Sequence, residues 1–424
     1  MKLLWIVNTI FPYPARKMNL KKEVFGGWMD SLFEDLNKNK ELNFAIVTVY
    51  DGEQLLKYND RDTYYYLIPC QNRLKYSKKL FPYWKQIFNE FEPDVVHIHG
   101  TEFPIGLTCI DACPNYKYVA SIQGLVSNCS KVYYANIPMK DIIKNITIRD
   151  VIKHDTIIDA KCKFEHRGDY EIETLRKCNY IIGRTNWDFS NAYAITKTNK
   201  YLKCNESLRE AFYSNNWNIK NISRHTIFVS QCSYPIKGFH FVLEAISILK
   251  NDFADIKVVV AGTNILECEN MKQKFKMTGY AKYLKKLIKK YDLSNNLIFT
   301  GLLNEKQMVD NLLKANVFVQ ASSIENSPNS LGEAMLLGVP CVASNVGGTS
   351  DMLIDKEEGF LYPYTEPAML AYYISKVFND DELASKIGKN AKAHALITHD
   401  RKTNTDNMLK IYRRISNEEI DRKN

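Results

Sequence analysis

Apolar positions along the chain fall into short runs separated by amphipathic stretches, the alternation expected of doubly wound α/β domains. In the amino half the runs predict strands at 3–7, 44–49, 64–68, 94–98, 118–122 and 180–183. The stretch 23–36 sets Phe25, Trp28, Met29, Leu32, Phe33 and Leu36 on one helical face, so that helix packs on the sheet. The period is lost between about 205 and 224, where Ser214, Asn215, Asn216 and Asn218 gather, and an interdomain crossing is expected there. A second series then predicts strands at 226–230, 256–261, 297–300, 317–320 and 341–343, with helices between. The expected fold class is therefore α/β, with two doubly wound Rossmann-like domains facing a central cleft at the carboxyl ends of their strands. The expected division is 1–205, a linker at 206–224, 225–389, and a closing helical segment at 390–424 that contains a helix at 390–415.

Residues 321–351 carry the densest chemistry. They read as strand end, polar loop, helix start, helix stop and second strand. Ser330 is a good N-cap and Glu333 stands three residues on, which makes a capping box ahead of Leu331, Met335 and Leu336. Gly338 and Pro340 then stop the helix. With Gly332 in the first turn, the amides of 330–332 can face an anion, and the helix dipole favours a diphosphate there. Glu325 and Glu333 would flank it. Carboxylates accept hydrogen bonds from paired hydroxyls, so one can hold a ribose and the other a hexose, which suggests a nucleotide-sugar site. The bland alternative leaves Glu333 completing the capping box and Glu325 solvated in its loop.

Here the sequence resembles the family-4 retaining glycosyltransferases of the GT-B fold. The resemblance rests on Glu325 and Glu333 in the pattern E-x7-E, Gly-Glu-Ala-Met at 332–335, Gly-Val-Pro at 338–340, and Gly347-Gly348. It implies that Glu325 contacts the donor sugar, Glu333 the ribose, and the amides of Ser330, Leu331 and Gly332 the diphosphate. Asn326 and Asn329, in the same loop, join that donor-binding set. It also implies an acceptor-side first domain, a nucleotide-sugar second domain, and a last helix returning to the first.

Pro235-Ile-Lys-Gly follows the first strand of the second series, and the resemblance gives Lys237 a phosphate role. A lysine there neutralises charge building on a departing diphosphate. Alone, it reads equally as a surface lysine before a helix. Gly26-Gly27-Trp28 follows the first strand, and Gly27 would let backbone approach the donor. The same glycines would also ease a tight helix entry.

Two departures from the family stand out. Ser230-Gln231-Cys232-Ser233 lacks the arginine that often precedes the lysine, and Ser121-Ile-Gln-Gly has Gln123 where a histidine is common. Gln123 can hydrogen-bond a hydroxyl but cannot act as a base. Arg184 is a candidate for the missing positive charge, against the plainer expectation of a surface arginine. His97 and His99 share one strand face; structural or cleft-lining roles come first, acceptor contact second, a metal ligand last.

Composition sets bounds. The 424 residues, 45% hydrophobic, suffice for two domains. No run reaches the roughly 18 apolar residues of a membrane span, and the opening Met-Lys-Leu-Leu-Trp-Ile-Val is short for a signal peptide. Ten cysteines without a Cys-x-x-Cys pair fit a reduced cytoplasmic chain. The net charge of +9 permits an anionic partner without requiring one, and no nucleic-acid role is expected. Two basic, mixed stretches bear on membranes, Arg73 to Phe88 and Lys131 to His154; lipid-linked acceptors favour the Arg73 region, and the latter reads as an acceptor-side insertion. For both, a core-facing stripe with a solvated basic face is the alternative. The lysines of 282–290 fit that alternative.

The expected function is a retaining, metal-independent hexosyltransferase without a cofactor. It would move a sugar from a nucleotide diphosphate sugar to a lipid-linked or surface polysaccharide acceptor at the inner face of the membrane, with Lys237 and Glu325 at the chemistry. The rivals are a non-catalytic nucleotide-sugar-binding subunit and a nucleotide-sugar epimerase. Hydride transfer is disfavoured, because Asn8-Thr-Ile-Phe-Pro replaces a G-x-G-x-x-G.

Overall fold

Eight strands form one sheet in the order β3-β4-β2-β1-β5-β6-β7-β8, and six form another in the order β11-β10-β9-β12-β13-β14. In the first sheet these are β1 Lys2–Ile6, β2 Asn43–Tyr50, β3 Leu56–Asp60, β4 Thr63–Pro69, β5 Val95–His99, β6 Tyr118–Ser121, β7 Tyr180–Gly183 and β8 Tyr201–Lys203. In the second they are β9 Thr226–Val229, β10 Lys257–Ala261, β11 Leu297–Gly301, β12 Val317–Gln320, β13 Cys341–Ser344 and β14 Phe360–Tyr362. The computed structural model describes residues 1–20, 27–198, 200–267 and 275–418. Every pairing is parallel except β3 with β4.

The chain divides into two compact units. One holds Met1–Asn128, Phe164–Ser207 and His399–Asn424; the other holds Cys129–Lys163 and Leu208–Thr398. The basic stretch 131–154 thus belongs with the second unit rather than with 1–205. The expected helix at 390–415 is two helices, Asp381–Thr398 and Arg401–Asn417, the second capped by the Asp400 carboxylate on the Thr403 N–H at 2.7 Å.

Parallel sheets bury both faces, and the central strands show it. Leu3, Leu4, Trp5 and Val7 on and beside β1 are fully buried, as are Ile227 and Phe228 of β9. In the first unit one core face packs Ala45, Val47, Val96 and Ala120 against Trp84, Ile87 and Phe88 of the Phe81–Phe91 helix. The opposite face packs Trp5, Phe44 and Val119 against Met29 and Leu32 of the Gly27–Leu36 helix and Met408, Ile411 and Tyr412 of the last helix. The apolar stripe of the Arg73 region is therefore core. Trp84 is fully buried, with its indole N–H on Thr108 Oγ1 at 3.1 Å, and Leu80, Ile87 and Phe88 are buried with it.

In the second unit Phe228, Phe318, Leu331, Met335 and Leu336 form the interior. The Gly279–Tyr291 helix buries Tyr280, Leu284 and Leu287 and turns its lysines outward.

Candidate active site

The topology of the second sheet locates the site. From β9 the chain moves to β10 on one side and later returns to β12 on the other, so a switch point lies between β9 and β12 at their carboxyl ends. Lys237 leaves the end of β9 and Glu325 the end of β12. The chain after β9 closes into the Pro235–Lys237 turn, with Pro235 presetting φ at its start. Gly238 follows at φ +67°, where a Cβ would stand 1.9 Å from the Ala321 carbonyl oxygen. The Ser323 N–H donates to the Ile236 carbonyl at 2.7 Å and straps the two loops together.

The strap brings the chemistry into contact. Lys237 Nζ donates to Glu325 Oε1 at 2.6 Å, and Ser322 Oγ donates to the same oxygen at 2.6 Å. Burial works against the Lys237 charge, but the Glu325 carboxylate outweighs it and holds the ammonium above its ordinary value. The Glu325 backbone is held from behind by the β13 turn. Gly347 sits at φ +54°, where a Cβ would stand 1.8 Å from the Glu325 carbonyl oxygen, and the Gly348 N–H donates to that oxygen at 3.1 Å.

Glu333 does not close a capping box. The helix begins at Asn329 after Pro328, without a side-chain cap. Ser330 Oγ faces Ser230 Oγ at 3.4 Å. The Glu333 carboxylate instead receives Arg209 Nε on Oε1 and Arg209 Nη2 on Oε2, each at 2.7 Å. A bidentate guanidinium outcompetes a single backbone amide. Burial still pushes Glu333 up, against the pull of Arg209. Of the expected diphosphate amides, Leu331 and Gly332 donate to the Pro328 carbonyl at 3.0 and 3.2 Å, which moves the helix start back to Asn329 and Ser330. Asn326 is buried in the same loop, while Asn329 and Ser330 are half-buried.

Arg209 is the cation that local sequence does not disclose. It lies 124 residues from its partner and outside the segment before Lys237, so only the fold pairs them. Its guanidinium also stacks 4.8 Å from the Phe212 ring.

The first unit holds the other expected residues. Arg184 is not a surface arginine; it is buried, ion-paired with Glu206, and donates Nη2 to the Ile122 carbonyl at 2.9 Å. Gln123 Nε2 donates to Glu206 Oε1 at 2.8 Å. Glu206 is thus a partly buried amino-half carboxylate that no local motif announces, and desolvation raises it while Arg184 opposes.

His97 is structural, with Nδ1 on Tyr412 Oη at 2.6 Å and Nε2 on Ser121 Oγ at 2.7 Å. His99 is buried against Trp5, neither ring nitrogen has a hydrogen-bond partner among the described residues, and burial keeps the ring neutral. His99, Arg184 and Glu206 line one cavity with Trp28, Ser121 and Asn205. Gly27 opens its helix, and Gly26 lies outside the described residues.

Residues 210–394 match the model of the family described as glycosyl transferases group 1. Over that segment the chain is similar to this family. The Putative glycosyltransferase YtcC of Bacillus subtilis (strain 168) is 29% identical over 163 residues, 38% of each chain. The Capsular polysaccharide biosynthesis glycosyltransferase CapM of Staphylococcus aureus is 27% identical over 156 residues, 37% of each. The matched part spans under two fifths of the length of these relatives.

Among solved structures, sucrose-phosphate synthase from Thermosynechococcus elongatus superposes with a TM-score of 0.71 at 16% identity, covering 98% of both chains. Anabaena HepE, solved with UDP and glucose, gives 0.66 at 14% identity over 98% of this chain and 100% of that one. The fold is GT-B.

Proposed function

We propose that this protein is a retaining, metal-independent glycosyltransferase that moves a hexose from a nucleotide diphosphate sugar to a lipid-linked or surface-polysaccharide acceptor. The observation that carries the proposal is the Lys237–Glu325 contact of 2.6 Å at the switch point of the second sheet, with Glu333 on the helix that follows. Lys237, kept protonated by Glu325, neutralises the phosphate oxygens as the bond to the sugar breaks. Glu325 accepts hydrogen bonds from the hexose. Glu333 accepts from the ribose through the lone pairs Arg209 leaves free, since each carboxylate oxygen has two.

The acceptor hydroxyl attacks the anomeric carbon from the face the phosphate leaves, and the departing phosphate takes its proton. Configuration is thereby retained. Gln123, His99 and Arg184 are proposed for the acceptor side. Solved HepE with UDP and glucose, and the capsular role in CapM's name, support the donor and acceptor classes. Among the described residues no helix is long and apolar enough to cross a membrane.

The test has two stages. A thermal-shift screen of nucleotide sugars identifies the donor that raises Tm. Nucleotide release is then measured for the wild type and for Lys237→Ala and Glu325→Ala. Each variant is expected to lose roughly 10²–10³-fold in rate while still binding nucleotide. A wild type that binds donor yet releases no nucleotide with any acceptor pool would make the protein a non-catalytic binding subunit.

A further inference from the structure

Two short helices, Met139–Asn145 and Ile148–Lys153, turn apolar side chains to solvent. Ile143 is 57% exposed, Ile148 72%, Val151 59% and Ile152 69%, with Met139 at 44% beside them. Isolated exposed apolar residues are ordinary, but a contiguous group marks an interaction surface.

The group is not a frayed end. On the first helix Ile142 and Asn145 are buried, leaving Met139 and Ile143, four residues apart, on the outer face. The second helix is fixed by a full capping box between Thr147 and Asp150. Thr147 Oγ1 donates to the Met277 carbonyl at 3.0 Å, and Asp150 Oδ2 accepts the Gly279 N–H at 2.7 Å. The fold therefore holds these side chains out.

Charge selects the occupant. Lys140, Lys144 and Lys153 are exposed on the same two helices, and none forms an ion pair among the described residues. Arg149 is held by Asp150 and Asp155, which leaves Asp141 as the remaining acid of the two helices. On the adjoining Gly279–Tyr291 helix, Lys282 Nζ reaches the Lys144 and Ile146 carbonyls. Burial and the ammonium groups of Lys282 and Lys144 together depress Lys286, a sign of crowded positive charge. Branched apolar side chains exposed on the same helices as lysines suit the headgroup boundary of a negatively charged bilayer: the former enter the acyl region and the latter reach lipid phosphates.

We infer that the exposed face of residues 139–153 is a docking surface for an anionic lipid bilayer. It deepens the glycosyltransferase proposal by naming where the protein meets the membrane of its acceptor. It also displaces the Arg73 region, where Leu80, Trp84, Ile87 and Phe88 are spent in the core.

Flotation of the full chain with vesicles tests it, using phosphatidylcholine alone and phosphatidylcholine mixed with phosphatidylglycerol. Wild type should float with the mixed vesicles, less so at high salt. The pair Ile148→Ser with Ile152→Ser, and separately Lys144→Glu with Lys153→Glu, should each lower the bound fraction roughly tenfold. Lys78→Glu with Lys79→Glu should leave it unchanged.

The inference is overturned if wild type ignores anionic vesicles or if the serine pair floats like wild type. It is equally overturned if wild type is a concentration-dependent dimer that the serine pair converts to monomer, since the face then belongs to a second copy. Nucleotide-sugar thermal shifts on the same samples without vesicles separate this outcome from failure of the donor-site proposal.

Discussion

Arg209 and Glu333 stand 124 residues apart in the chain and make two bonds of 2.7 Å in the fold. Glu333 is buried and Arg209 partly so; removing Arg209 strands the Glu333 charge, so Arg209→Ala should cost roughly 3 kcal/mol, read from urea unfolding of the second unit. It should also weaken nucleotide binding by titration calorimetry, because Glu333 loses its orientation. In the first unit, burial pushes Glu102 and Glu171 up to about 7. Glu171 accepts from the Val126 and Ser127 N–H groups and from the Thr101 and Ser127 hydroxyls, which oppose that rise without cancelling it. A carboxyl raised on folding contributes stability that is complete below its unfolded value near 4.5 and is lost as pH rises to about 7. Wild type should therefore lose stability between pH 5 and 8, and Glu102→Gln, which cannot ionise, should make that slope shallower in denaturation midpoints while Glu171 still titrates.

At the scale of elements, every strand announced by an apolar run is present, and those not announced, β3, β8 and β14, all lie at sheet edges. Edge strands need not bury both faces: β3 is largely exposed, and β8 and β14 are three residues each, too short to show a period. The Phe81–Phe91 helix makes the converse point, since a basic amphipathic pattern does not say whether its apolar face meets core or lipid. The last helix ties to β5 through Tyr412, whose hydroxyl is 2.6 Å from His97 Nδ1 in a fully buried setting. Tyr412→Phe keeps the shape and leaves that ring nitrogen unpaired. A loss of about 1–3 kcal/mol is expected, measured by thermal unfolding.

At the scale of the molecule, the units are discontinuous in sequence, with Cys129–Lys163 and His399–Asn424 each belonging with the unit that does not flank them in the simple two-part division. Donor binding should stabilise the second unit by mass action, about 2.7 kcal/mol at a hundredfold excess over Kd. Hydrogen exchange should slow at 230–238 and 321–348, and unchanged exchange there would remove the donor site from the switch point.

Local rules were enough for the α/β class, the central strands, the E-x7-E string and the turn at Lys237, because each rests on side-chain period or backbone preference within a few residues. Only the tertiary structure decided that Glu333 answers to Arg209, that Arg184 is buried and paired with Glu206, and that residues 139–153 present their apolar face to solvent. Those outcomes depend on which distant groups share a desolvated space, and burial makes a charge seek its partner wherever the chain returns.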